Sequence, residues 1–97
     1  MRGPAKIDGL TEHQRRALRW LASRGHDGIF SIHGVLIAMG EQAPHVRGTW
    51  NALIRAGMAE HYNPAKRGFG RLRLTTRGKM HPAASDTSLD IEEVEMA

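Results

Sequence analysis

The run Arg71-Leu72-Arg73-Leu74-Thr75 alternates cation and leucine without a break. In an extended chain successive side chains point to opposite faces, so the two leucines share one face and the two arginines the other. Such a strand requires an apolar layer beneath it and a neighbour beside it. The nearest neighbour is Met58–Tyr62, which also reads as a strand, and Asn63-Pro64-Ala65-Lys66-Arg67-Gly68-Phe69-Gly70 between them is rich in turn residues. The sequence therefore predicts a β-hairpin with inward Leu72 and Leu74, outward Arg71 and Arg73, and Lys66 and Arg67 near its tip.

The apolar layer comes from helices. Thr11-Glu12-His13-Gln14 has the spacing of a capping box, and Gly25 supplies a stop. Between them Leu10, Gln14, Ala17, Leu18 and Leu21 fall on one side, and Glu12, Arg15, Arg16 and Arg19 on the other. Trp20 lies off the apolar stripe, where it packs on the N-terminal leader or marks an interface. His26-Asp27-Gly28 reads as a turn, and Ile29-Phe30 as a short strand or extended link. Ser31 is placed to cap a second helix that runs to about Met39 and ends at Gly40, with Val35, Leu36 and Met39 inward. After a turn at Glu41-Gln42-Ala43, Pro44 suits the first position of a third helix, which runs to about Ala56 before Gly57. On that helix Val46, Trp50 and Leu53 share one narrow sector, and Pro44, Gly48, Asn51, Ala52 and Arg55 the opposite one. Thr76 starts a short helical turn through Met80, broken by Pro82, and residues 83–88 read as a linker.

At 97 residues, with 40% hydrophobic residues, the chain has material for one core. The organisation expected is a loose leader over residues 1–9, a folded domain over 10–80 and an acidic tail over 81–97. All 14 Lys and Arg stand in residues 1–79 against five acids, whereas residues 80–97 hold the other five acids and no cation. A basic body favours a polyanionic partner. The tail is expected to be disordered, or else to compete for the basic face. No apolar run approaches the ~20 residues of a membrane span, and no signal peptide is present, so a soluble cytoplasmic protein without membrane partner is expected. Cysteine is absent, and the six histidines show no i, i+4 pair on one helix, so no metal site is expected. Without a glycine-rich phosphate loop, a nucleophile elbow or clustered carboxylates, neither catalysis nor a small-molecule cofactor is expected.

Helix, short strand, helix, tight turn, helix and basic hairpin is the order of a winged helix-turn-helix, an α+β fold with a three-helix core and a β-hairpin wing. Residues 35–80 resemble the DNA-binding core of the MarR-type transcriptional regulators. The resemblance rests on Val35-Leu36, Met39-Gly40, Pro44, Val46, Trp50, Leu53, the Ala56-Gly57-Met58 break, and Arg71 to Gly78, which is similar to that family's strand ending in Leu-Thr-x-x-Gly. Leu10-Thr11 and the helix after it extend the similarity, while Glu41 and Thr49 stand where the family has apolar residues. The resemblance implies sequence-specific binding of double-stranded DNA by a small regulator, with the third helix in the major groove and the wing on the backbone or minor groove. The contact set would be Ser31, Pro44, His45, Arg47, Gly48, Asn51, Ala52, Arg55, Lys66, Arg67, Arg71 and Arg73. Asn51 offers the donor–acceptor pair that matches adenine, and Arg55 the fork that matches guanine or a phosphate. The family dimerises through long flanking helices, and only nine residues precede the first helix here, so a homodimer is left open. The alternatives are an architectural or recombination accessory factor, or a winged helix that binds another protein. For the cations the plainer readings are a solvated helix face and a charged edge that discourages aggregation.

Overall fold

A computed structural model describes residues 9–62 and 70–90. It is an α+β structure in which helices cover one face of a five-stranded antiparallel sheet. In chain order the elements are α1 (Glu12–Ala22), β1 (Asp27–Phe30), β2 (Leu36–Ala38), β3 (Glu41–Gln42), α2 (Arg47–Arg55), β4 (Ala59–Tyr62), β5 (Arg71–Leu74) and α3 (Thr76–Met80), followed by two 3-10 turns, Pro82–Ser85 and Thr87–Asp90. The strands lie in the order β3-β2-β1-β5-β4.

The first helix begins as its residues require. The Thr11 hydroxyl oxygen accepts from the Gln14 N–H at 3.2 Å, and the Gln14 side chain accepts from the Thr11 N–H at 3.0 Å. Its stripe of Ala17, Leu18 and Leu21 is buried, together with Leu10. Against it pack Trp50 and Leu53 from α2 and the inward residues Phe30, Leu36, Ala38, Ala59, Leu72 and Leu74 of the sheet, in one core. Trp20 is half-buried on this core, its ring 6.4 Å from that of Trp50, with the Arg24 guanidinium 4.6 Å from its centroid. Each fully buried leucine contributes about 1.5–3 kcal/mol. The hairpin of β4 and β5 has the inward and outward faces that the alternation predicts, with Leu72 and Leu74 buried.

The expected second helix is a correction. Residues 31–39 form a turn and strand β2, and β3 follows in place of the expected turn at Glu41-Gln42. The β-branched Ile32, Val35 and Ile37 disfavour a helix, and Gly34 at φ +80° and Met39 at φ +51° break any helical run. Ser31 caps a turn rather than a helix, its hydroxyl oxygen accepting from the N–H groups of His33 and Val35. Leu36 and Ala38 are buried as strand residues with Ile37 on the other face, while Met39 lies outside the core at 76% exposure and Val35 is half-buried. A three-helix core of the expected composition is therefore absent; a β-hairpin extension stands in the position of the second helix.

The third helix, α2, starts at Arg47 rather than Pro44. The Ala43 N–H still donates to the Leu36 carbonyl, so the chain leaves the sheet only there, and Pro44 to Val46 form the approach. Val46 is the N-cap, with extended φ −81° and ψ 161°, and is 72% exposed instead of joining the core. His45 packs there in its place, edge-on to Trp50 at 5.7 Å.

After β5 the chain returns along the end of α2. The Thr75 hydroxyl donates to the Gly57 carbonyl at 2.6 Å and accepts from the Gly78 N–H at 3.0 Å, capping α3. Residues 82–90, where a linker and a disordered acidic tail are expected, lie along α1 with Ala83 and Ala84 buried. Arg16 donates to the Leu89 carbonyl, and Arg19 to the Ala84 carbonyl and to both Asp90 carboxylate oxygens at 2.9 and 3.0 Å. That hydrogen bond holds the Asp90 pKa below, and the Arg19 pKa above, its ordinary value.

Candidate nucleic-acid interface

The register of the sheet gathers three segments at one of its ends. Ile29 pairs with Arg71 and Ile37, Phe30 with Leu36, and Tyr62 with Arg71. The β1–β2 turn therefore leaves the sheet at the same end as the strand termini Tyr62 and Gly70 that flank residues 63–69. The first turn of α2 joins them, because the Arg47 guanidinium lies 4.1 Å from the Phe30 ring centroid. The Phe30 ring in turn lies 5.9 Å from that of His61.

From this end α2 runs with Trp50 and Leu53 inward, so Arg47, Asn51 and Arg55, spaced by four residues, share its outward row. Arg47, Gly48 and Arg55 are exposed, and Asn51 and Ala52 half-exposed. Among the described residues no side-chain hydrogen bond or ion pair engages Asn51 or Arg55. Gly48 has open space over its Cα, so a flat polar surface could approach the helix backbone there. Pro44 is exposed on the approach to the helix and Ser31 is spent on its own turn. His45 is largely withdrawn: burial first, then the charges of His13 and Arg16, hold its pKa below the usual imidazole value.

Arg71 and Arg73 belong elsewhere. They point from the face of the sheet that the helices leave open, beside Asp27, Glu60 and Tyr62. Arg73 pairs with Glu60 at 2.8 Å and Arg71 with Asp27 at 3.4 Å, while the Tyr62 hydroxyl donates to Asp27 and accepts from Arg71 Nε at 3.0 Å. Both guanidinium groups also stand over the Tyr62 ring, at 5.6 and 4.4 Å from its centroid. These two cations are neutralised locally and do not join the α2 row. Lys66 and Arg67 lie outside the described residues.

Arg77 is a cation that the sequence reading missed. Its guanidinium rests beside Gly57, just past the C-terminal end of α2, with Nη1 3.1 Å from where a β-carbon of residue 57 would stand. The signal for it lay in the charge pattern: no Asp or Glu occurs in residues 42–59 or 61–85. Of the acids in the described residues, Glu12, Asp27, Glu41, Glu60 and Asp90 are each paired with an arginine other than Arg47, Arg55 or Arg77. Among the described residues, therefore, no acid forms an ion pair with Arg47, Arg55 or Arg77.

Among the described residues no three His, Asp or Glu side chains gather as a metal site, and no helix is long and apolar enough to cross a membrane. No family model, curated protein or solved structure matches the chain.

Proposed function

We propose that this protein binds double-stranded DNA as a small sequence-specific regulator, with the outward row of α2 in the major groove. The observation that carries the reading is the row Arg47, Asn51 and Arg55 on a nine-residue helix whose other side is core, in a stretch without acids. A single helix fits the major groove, about 12 Å wide. Asn51 would read a base edge, Arg55 a guanine or a phosphate, and Arg47 and Arg77 the backbone on either side. Lys66 and Arg67 would contact phosphates or the minor groove. The strand order β1-β5-β4 beside α2 is compatible with a winged helix, and we read the fold as a variant in which the β2–β3 extension replaces the second helix.

A second reading is supported by the open sheet face, where Ile29 is 39% exposed beside the half-buried Ile37. That face would suit a protein partner, and it leaves α2 free. Amide chemical-shift mapping with a random-sequence duplex separates the two surfaces. The largest changes are expected at Arg47, Gly48, Asn51, Arg55 and Arg77. Changes confined to Ile29, Ile37 and Arg73, or none at low salt, would rule the α2 interface out.

A further inference from the structure

The turn between β1 and β2 is firmly built, yet it ends in an apolar side chain held out in solvent. The Ser31 N–H donates to the Val35 carbonyl at 2.8 Å and the Gly34 N–H to the Ser31 carbonyl at 2.9 Å. The Ser31 hydroxyl oxygen accepts from the His33 and Val35 N–H groups, each at 3.2 Å. Gly34 takes the left-handed φ of +80° that the turn requires. Four hydrogen bonds within five residues leave this turn little freedom, and they fix Ile32 at 73% exposure with His33 exposed beside it. Burial of an isoleucine side chain is favourable, so one pinned in water offers that gain to a surface arriving from outside.

We infer that the β1–β2 turn is a second DNA-contacting element, in which Ile32 enters the minor groove and wedges into a base step next to the major groove occupied by α2. The inference rests on the DNA-binding reading of α2 and adds a deformation of the duplex to it. Position supports it first. The turn touches the first turn of α2, since a β-carbon on Gly34 would lie 3.6 Å from Arg47 Nη1. It also leaves the sheet at the end where the strands flanking residues 63–69 terminate. Charge supports it next. The turn carries no acid, and its neighbours across this end are Arg47 and His61. An apolar tip beside an arginine and an imidazole matches the minor groove, whose narrow segments attract Arg, Lys and His and whose base steps accept Ile, Leu, Met or Phe as wedges. Val46, 72% exposed at the N-cap of α2, adds a second apolar side chain at the same approach. Unstacking a base step is costly, least so at flexible pyrimidine–purine steps, and a bent duplex touches more of the protein.

The test uses the full chain and a duplex of about 30 base pairs (roughly three helical turns) with central TA steps and a donor and acceptor dye at its ends. Wild-type protein is expected to raise energy transfer, reporting a bend in the range of about 20–90°. Ile32→Ala, whose thermal midpoint should match wild type, is expected to keep the salt dependence of binding but return energy transfer close to that of the free duplex. Ile32→Phe, a larger wedge, is expected to keep the bend. Binding without any bend, or an Ile32→Ala complex bent like wild type, overturns the wedge while leaving DNA binding by α2 intact. Absence of binding by every variant, wild type included, overturns both.

Discussion

The Arg47 guanidinium lies over the Phe30 ring, 4.1 Å from its centroid, and so ties the first turn of α2 to the end of β1. Phe30 is buried and Arg47 is exposed, so the contact orients a solvent-facing cation without withdrawing it. An exposed cation–π contact is worth about 0.5–1 kcal/mol. Arg47→Ala is expected to lower stability by about that amount in urea denaturation and to flatten the salt slope of DNA binding by roughly one unit. Arg47→Lys should restore the slope and only part of the stability. A slope unchanged in Arg47→Ala would remove Arg47 from the interface.

A pair of glycines separates structural from functional constraint. At Gly78 the Met58 carbonyl oxygen fills the space where a β-carbon would stand, whereas at Gly48 nothing lies within 4 Å. Gly78→Ala should therefore displace α3 and cost about 1–3 kcal/mol, as overpacking does. Gly48→Ala should stabilise the protein by about 0.5–1 kcal/mol, because glycine is a poor helix residue. Gly48→Gln should fold normally and weaken duplex binding by keeping the helix backbone away from the groove. Thermal midpoints and binding titrations of the three variants check this, and undiminished binding by Gly48→Gln would contradict it.

Much of this was legible in the sequence because it is local. The capping box of α1, the alternation of β5 and the phase of Trp50 and Leu53 each depend on residues within a few positions, and all three appear as read. Residues 31–39 were not legible. Val35, Leu36 and Met39 fit a helical spacing as well as a strand, and the choice is made by pairing with β1 and β3. The α2 row could be read from a helical wheel, but the neutralisation of Arg71 by Asp27, 44 positions away, depends on strand register. Arg16 and Arg19 read only as the side of α1 opposite its apolar stripe for the same reason: their partners, the Leu89 and Ala84 carbonyls and Asp90, come from a segment with no periodic signal of its own.

Because Arg73 is spent on Glu60, the two should behave unlike the α2 cations. Exposed pairs of this kind contribute about 0–1 kcal/mol to stability. Arg73→Ala is expected to leave the salt slope nearly unchanged, whereas Arg55→Ala should flatten it or lose ~1–3 kcal/mol on a preferred site. Binding titrations at several salt concentrations distinguish them. A larger loss in Arg73→Ala than in Arg55→Ala would place the DNA on the open sheet face.

His45 contributes to the pH dependence of stability in one window, and Asp90, with Asp86 beside it, in a second and more acidic one. Burial holds the folded-state pKa of His45 below its ordinary 6.5. Between the two values the unfolded chain binds more protons, so stability is complete above pH 6.5 and falls as pH drops below it. His45→Gln should flatten that decline. Asp90, lowered from 3.8 chiefly by its hydrogen bond to Arg19, contributes stability above that value that is lost as pH falls through its folded-state pKa. Urea midpoints from pH 3 to 8 should show the two steps separately (about 4 and 6.5 in the unfolded chain). Equal losses in wild type and His45→Gln between pH 7 and 5.5 would assign the upper step elsewhere.

The most direct measurement of the central claim is a titration of duplex DNA against the full chain across a series of salt concentrations. A basic α2 side flanked by Arg47, Arg55 and Arg77, with Lys66 and Arg67 beyond the described residues, should neutralise about 3–5 phosphates. The logarithm of the binding constant should then fall against the logarithm of salt with a slope of about −3 to −4.5. A DNA segment containing the preferred site should bind more tightly than random duplex, and Asn51→Ala should narrow that difference. A slope near zero, or no duplex binding at low salt, would contradict the account.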